Sequence, residues 1–373
     1  MDQEPNYSSI MLQKKIVALG ASEARGVFLL MMQGFDPAPP VPPYVRRINL
    51  PGGELKRAGL HAFFRLTSKG TSFVDADIGA MRAGQSKWDA RFARVGASVR
   101  RTPVAATGLA GEWINGPDSL PEHIILYLHG GAFMFRWPGI YTSMVARWCS
   151  RLKARALMVD YRLAPEHPFP AAPDDCHAAY QWLLAQGHDP RNIIVAGDSA
   201  GGNLALVTLQ RIHNAGEPMP ACVVLLSAGV DFTLSSRSMV TNEDSDPMFN
   251  LAELVAMRRF YAPPELYLDP GVSPLFGDFT GLPPLLFQVG SCEVLLDEST
   301  RAAARAHAAG VAVEVEIWES MGHVFQTLPL PQAEAALEHI ARFVASRAGW
   351  PIYTGAPASC VSTKAVPAEA LAL

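Results

Sequence analysis

No closely spaced cysteine pair occurs in this sequence. Its five cysteines, Cys149, Cys176, Cys222, Cys292 and Cys360, are odd in number and scattered. That pattern argues against a zinc ribbon or a disulfide framework and points to unpaired thiols in a reducing compartment, the cytoplasm. Also missing is an apolar run of the about 20 residues that a membrane-spanning helix needs. The apolar stretches 16–19 and 27–32 are short and are interrupted by Glu23 and Arg25. Lys14 and Lys15 precede too little apolar chain for a secretory leader. This segment is expected to pack on the domain or to touch a lipid surface. A basic field is absent as well. Lys plus Arg number 31 against 35 Asp plus Glu, leaving a net charge of −4, so no nucleic-acid partner is expected. There is no internal repeat and no run of like charge.

What is present is a large apolar fraction, 49% of 373 residues, enough for one large domain with a lid. Residues 1–115 show no clear strand–helix rhythm and read as an N-terminal region and cap. Within them, 37–43 are proline-rich and read as an extended linker. The stretch 75–95 carries Ile78, Met81, Trp88, Phe92 and Val95 at helical intervals. From 116 the pattern changes. Six apolar runs follow, at 123–128, 156–161, 192–197, 222–227, 285–289 and 311–318. Helical patterns lie between or after them, at about 140–152, 173–186, 200–214, 297–309 and 332–347. Continuous apolar strands alternating with helices predict an α/β fold: a mostly parallel central sheet with helices on both faces. Residues 228–283 interrupt the alternation and are expected to contribute to the cap, with a helix near 251–261. The catalytic domain is expected to end near 348. The Ala/Pro/Ser/Thr-rich tail from 349 to 373 is expected to be poorly ordered.

In such a sheet, chemistry gathers at the carboxyl ends of the strands, and the distinctive residues fall there. Gly197-Asp198-Ser199-Ala200-Gly201 fits G-x-S-x-G and lies between an apolar strand and a helix. That context makes Ser199 a candidate nucleophile on a tight, strained turn. Small flanking residues allow the sharp bend. The helix start adds partial positive charge near a forming oxyanion. Upstream, His129-Gly130-Gly131-Ala132-Phe133 ends the first apolar run. Its small residues let backbone N–H groups approach a substrate carbonyl. Gly130, Gly131, Ala132 and Ala200 are therefore the candidate oxyanion donors, each such donor being worth roughly 3 kcal/mol of barrier. His129 is read as a brace for that loop.

A serine hydroxyl needs a base, and ten histidines compete for the role. His323, just past the last strand, satisfies the order nucleophile, acid, histidine; His129 and His167 lie upstream of the serine. The acid is expected on the loop after the run at 285–289, which offers Glu293, Asp297 and Glu298. Glu293 is favoured. Asp297 is the alternative, although a carboxylate at a helix start is also a good cap. Phe133, Phe135, Trp137 and the 242–261 segment are candidate pocket walls, or plain core.

Taken together, these blocks resemble the hormone-sensitive-lipase family of α/β-hydrolases, of the bacterial carboxylesterase type, over about 120–343. The loop at His129 is similar to the family's HGGGF. Residues 160–172, DYRLAPEHPFPAA, are similar to its signature segment, and Gly197-Asp-Ser-Ala-Gly-Gly to its GDSAGG turn. The resemblance implies a Ser–acid–His triad working without metal or organic cofactor, and an N-terminal helical cap that shapes the pocket. It also implies that Asp160, Glu166 and His167 serve the architecture. Two departures stand out. Ala132 replaces the last glycine of HGGG. Glu293-Val-Leu-Leu-Asp297 replaces DPLxD, so the triad acid falls on a glutamate and Asp297 on the loop-orienting aspartate.

The expected function is a serine carboxylesterase acting through an acyl-enzyme on short- to medium-chain esters. Alternatives on the same residues are a lactone or aryl-amide hydrolase, or a non-catalytic small-molecule binder. The last is kept because the family includes plant hormone receptors that lost the histidine, which here is present as His323. The expected partner is a small-molecule ester. A homodimer through the last strand and helix is compatible with the pattern.

Overall fold

The computed structural model describes residues 41–353 apart from 75, 105 and 107. The apolar runs at 16–19 and 27–32, most of the proline-rich stretch, Cys360 and the tail beyond 353 lie outside the described residues.

The six apolar runs form strands β4 (Ile124–Leu128), β5 (Arg155–Val159), β6 (Ile193–Asp198), β7 (Cys222–Leu226), β8 (Leu285–Gly290) and β9 (Val313–Trp318). Every residue of β4, β6, β7 and β8 is buried. Both faces of these strands are covered, which is why their sequences run apolar without alternation. The stretch before 116, in which no strand pattern is legible, supplies three more strands: β1 (Val45–Ile48), β2 (Arg100–Pro103) and β3 (Gly111–Asn115). The sheet has nine strands in the order β1-β9-β8-β7-β6-β4-β5-β3-β2. Pairing is parallel from β1 through β5 and antiparallel for β5–β3 and β3–β2. The division expected at 115/116 thus cuts through the sheet. The last strand, expected as a dimer surface, is no edge: β1 pairs with it from Val45↔Val315 to Ile48↔Trp318, and β8 flanks its other side.

Helices α1 (Glu54–Thr67) and α2 (Ile78–Phe92) precede the core strands. Helices α3 (Pro138–Leu152), α4 (Ala171–Ala185) and α5 (Ala200–Asn214) follow β4, β5 and β6. The short α6 (Ser238–Thr241) and α7 (Leu251–Tyr261) lie in the 228–283 interruption. Helices α8 (Leu296–Ala308) and α9 (Pro331–Ala348) close the fold. One sheet face packs α3 and α9, where Met144, Trp148, Leu337 and Phe343 meet Ile125, Tyr127, Val224 and Leu226. The opposite face packs α4, α5 and α8 through Tyr180, Leu206, Leu209 and Ala303 against Leu126, Val195, Leu225 and Phe287.

The N-terminal helices are tied down by polar contacts more than by core. Helix α1 buries no residue fully. It meets α2 through Phe63, whose ring lies 5.5 Å from Trp88, while Trp88 stacks on Phe92 at 5.1 Å. Asp77 caps α2 by accepting the Ala80 N–H at 2.9 Å. Asp89, near the other end of α2, accepts the N–H groups of Gly139 and Ile140 at 2.8 and 2.9 Å. It thereby supplies the anion that the start of α3 lacks from its own sequence, since Trp137 provides no side-chain cap.

On β9, Glu316 is 1% exposed and holds four elements together. One oxygen receives Arg46 of β1 and His339 of α9, each at 2.9 Å; the other receives Gln288 of β8 at 2.9 Å. Replacing Glu316 by Ala strands the buried Gln288 amide and loosens part-buried His339, and is expected to cost roughly 2–4 kcal/mol of unfolding free energy in a urea titration. Arg46, 55% exposed, is expected to cost under about 1 kcal/mol when replaced by Ala.

Candidate active site

Ser199 stands between β6 and α5 with φ 53° and ψ −119°, outside the regions comfortable for a side-chain-bearing residue. The turn closes because glycines stand two residues away on either side. A Cβ on Gly201 would sit 1.9 Å from the Leu128 carbonyl oxygen, and one on Gly197 would sit 2.2 Å from that of Gly201. The Ser199 N–H donates to the Leu226 carbonyl at 2.8 Å, tying the turn to the end of β7.

Beside it runs the loop after β4. Gly131 has φ 120°, and a Cβ there would meet the Phe135 carbonyl at 2.1 Å. Ala132 and Phe133 follow with φ 53° and 61°. Two successive non-glycine residues in the left-handed region cost of order 1–3 kcal/mol each, so the surroundings must hold them there. Asp198 supplies part of that hold. It is fully buried and accepts the Tyr127 hydroxyl at 2.6 Å and the Gly130 N–H at 2.9 Å. Burial raises its carboxyl to about 6, against the pull of these hydrogen bonds and of His323. Its bond to Gly130 corrects one expectation: the Gly130 N–H is committed to a carboxylate and is no oxyanion donor. Among the described residues, no protein acceptor takes the N–H of Gly131, Ala132 or Ala200.

His129 braces this loop. Its ring is buried, stacks on Tyr161 at 4.2 Å, and lies with Nδ1 2.7 Å from the Gly130 carbonyl. A carbonyl only accepts, so Nδ1 carries the proton. Burial drives its pKa down to about 3, leaving the ring neutral. Asp160 pairs with Arg136, and Glu166 with Arg82 at 2.7 Å. Arg82 of α2 also donates to the carbonyls of Met134 at 2.8 Å and Ala164 at 2.6 Å. The cap helix thereby clips the 129–134 loop to the segment at 160–172.

On the other side, His323 lies with Nδ1 2.9 Å from Glu293 Oε2. A carboxylate only accepts, so the proton is again on Nδ1 and Nε2 is left free. Glu293 is completely buried, and its second oxygen accepts from the Gly290 N–H and from Ser227 Oγ at 2.8 Å. Burial pulls the His323 pKa down, but the hydrogen bond and charge of Glu293, with the charges of Asp246 and Asp198, outweigh it and raise the value. Asp297 lies elsewhere. Its carboxylate accepts the Ser238 N–H at 2.9 Å while its own N–H donates to Ser238 Oγ at 3.0 Å, so it joins the starts of α6 and α8. The structure brings Glu293 to the histidine and leaves Asp297 as a helix-end cap.

Three residues of this arrangement carry no motif. Ser227, at φ 48°, receives the Val324 N–H at 3.1 Å while donating to Glu293, so one hydroxyl joins the acid to the histidine loop. Asn242 donates to the carbonyls of Ser291 and Glu293 at 3.1 and 2.8 Å. Buried Asp246 accepts the N–H groups of Val294 and Phe249 at 2.9 and 3.0 Å. The only sequence signal for Ser227 is that it is the first polar residue after an apolar strand.

A cleft of about 600 Å³, part of it open to solvent, is lined by Ser199, Ala132, Ala200, Phe133, Phe249 and Met257, among others. Residues 254, 257, 258 and 261 of α7 face it at helical spacing. Phe249 also packs edge-on against the His323 ring at 4.9 Å. Of the expected walls, Phe133 and the 242–261 segment line the cleft. Phe135 does not; it packs with Phe73 and Trp137. No lining residue comes from α1 or α2.

Residues 125–327 match the family model described as the alpha/beta hydrolase fold. An esterase of Acinetobacter venetianus is 39% identical over 252 residues, which cover 67% of this chain and 83% of that protein. A carboxylesterase/phospholipase of Mycobacterium tuberculosis, LipF, is 33% identical over 271 residues, 68% of this chain and 71% of that protein. A crystal structure of an esterase from the bacterial hormone-sensitive lipase family superposes with a TM-score of 0.74 at 34% identity, covering 80% of this chain and all of the other.

With its pKa raised, His323 frees Nε2 only above pH 6.5. If it is the base, kcat/KM rises with pH through a midpoint above 6.5. Glu293→Gln is expected to lower kcat about 10³–10⁴-fold and to move that midpoint down, because burial then meets less opposing charge. A pH–rate profile of both proteins checks this, and an unmoved midpoint would sink the pairing.

Proposed function

The chain belongs to the bacterial hormone-sensitive-lipase family of α/β-hydrolases and is a carboxylic ester hydrolase; from that premise we propose a serine mechanism on Ser199, His323 and Glu293. The observation that carries this reading is the buried Glu293–His323 pair, 2.9 Å apart, whose histidine packs against Phe249, a wall of the same cleft that Ser199 lines from its strained turn.

Ser199 Oγ attacks the ester carbonyl while His323 Nε2 takes its proton. The oxyanion is held by the N–H groups of Gly131, Ala132 and Ala200, the last at the start of α5, where the helix field also favours negative charge. The imidazolium then protonates the leaving alcohol, and an acyl-enzyme remains on Ser199. Water, deprotonated by the same histidine, releases the acid. Glu293 stays ionised throughout, holding the imidazole tautomer and stabilising its charged form. Ser227 is a positioning residue: it bonds the acid and the backbone of the histidine loop together.

The substrate is an ester of short to medium acyl chain, in keeping with the apolar lining from Phe133, Phe249, Leu254 and Met257. Helices α1 and α2 act as a cap that holds the loops around the cleft. A cytoplasmic setting is supported by the unpaired Cys149, Cys176, Cys222 and Cys292. No helix among the described residues is long and apolar enough to cross a membrane.

The test is hydrolysis of p-nitrophenyl esters from acetyl to palmitoyl by the protein and by Ser199→Ala. Turnover is expected to peak at short to medium chains and to fall by about 10⁴–10⁶ in the variant. Equal rates for both proteins on every ester would overturn the mechanism.

A further inference from the structure

We propose that the outer face of α1 and α2 is a docking surface for an anionic lipid layer, on which the protein sits peripherally. The face lies apart from the cleft, whose lining includes no residue of either helix.

Helix α1 turns an apolar stripe to solvent. Leu55, Ala58, Gly59, Ala62 and Leu66 follow the spacing i, i+3, i+4, i+7 and i+11 that places residues on one side of a helix, and each of them is exposed. The two leucines are 92% and 86% exposed. They stand about 16 Å apart along the axis, with nothing larger than alanine between them on that side. Single apolar residues scattered on a surface need no explanation, but a stripe of about three turns does. Phe63 flanks the stripe and its ring lies 5.5 Å from that of Trp88. Trp88, 44% exposed, carries the apolar surface across to α2.

Charge selects the partner. The chain as a whole carries −4, yet α1 and α2 hold Lys56, Arg57, Arg65, Arg82, Lys87 and Arg91 against only Glu54 and Asp89. Arg82 is engaged by Glu166, and Arg65 by backbone carbonyls. Lys56, Lys87 and Arg91 are exposed, and no carboxylate among the described residues pairs with them. Whatever covers the stripe must therefore bring anions. Residues 1–40, the chain before β1, hold Asp2, Glu4, Glu23 and Asp36 but also Lys14, Lys15 and Arg25, and bring almost no net charge. A second copy, docked face to face, would set the same cations against each other. Anionic headgroups over acyl chains meet both features at once. The leucines and Trp88 enter the boundary between headgroups and chains, while the lysines and arginine meet phosphates.

The experiment is sedimentation of the full chain with vesicles of phosphatidylcholine alone and of phosphatidylcholine mixed with phosphatidylglycerol, at low and at high salt. Partition onto the anionic vesicles is expected to exceed that onto the neutral ones by about tenfold or more, and to fall as salt screens the charges. Leu55→Gln with Leu66→Gln leaves the charge unchanged and is expected to lower the partition by about tenfold or more. Lys87→Gln with Arg91→Gln is expected to lower it on anionic vesicles alone. Both double variants alter exposed positions and are expected to keep the urea midpoint of the unaltered protein; should one pair not fold, the other still tests the face. No sedimentation, or sedimentation indifferent to lipid charge, overturns the proposal. Binding that survives both variants overturns the assignment to this face and moves the contact elsewhere, such as the apolar runs at 16–19 and 27–32. A dimer that Leu55→Gln with Leu66→Gln makes monomeric, without vesicle binding, overturns it in favour of a second copy.

Discussion

The site depends on how closely β4 and β6 end beside each other. Leu128 and Gly197 are paired across the two strands, and the first turn of α5 then passes so near β4 that a single methyl on Gly201 would overlap the Leu128 carbonyl. This approach puts the serine turn and the 129–133 loop within reach of one carboxylate. Asp198 takes the Gly130 N–H from one and belongs to the other. The strain in Ser199, Ala132 and Phe133 is sustained because both segments are anchored to neighbouring strands of a covered parallel sheet. The dipeptide Gly130-Gly131 is therefore asymmetric in use. The first N–H anchors the loop, and the second takes no acceptor among the described residues.

Helices α1 and α2 work at a distance. They contribute nothing to the cleft lining, yet they grip both sides of it. Arg82 and Asp89 fasten the loop and helix that follow β4. From the end of α1, Arg65 donates to the carbonyls of Asp244 and Ser245, and Lys69 to those of Glu243 and Asp246. That segment in turn accepts from Val294 and donates to the carbonyls around Glu293. The two helices thus hold the loops around the cleft by hydrogen bonds and form no part of its wall.

Much of this was legible before any coordinates. The six core strands and the helices between them showed because burial on both faces demands continuous apolar runs. The proposed serine, histidine and acid could be picked out because loop residues sit at fixed places relative to those runs. Strands β1 to β3 could not. Val-Arg-Arg-Ile and Arg-Arg-Thr-Pro are edge strands, largely exposed, and edge pairing needs backbone rather than apolar side chains. Glu293 was favoured over Asp297 from its place on the loop, and the fold agrees: Glu293 lies 2.9 Å from His323, while Asp297 sits in the first turn of α8. Ser227, Asn242 and Asp246 were invisible because each acts on a segment far away in the chain.

The seam between β1 and β9 orders events during synthesis. Arg46 meets Glu316 across 270 positions of sequence, so the first strand has no partner until the ninth has left the ribosome. The serine turn and its supporting loop are complete far earlier, while the histidine arrives on the residues just past β9. A nascent chain therefore carries the Ser199 turn before it carries His323. Long-range pairing of this kind is slow, and His323 follows directly on the strand with which the waiting edge pairs.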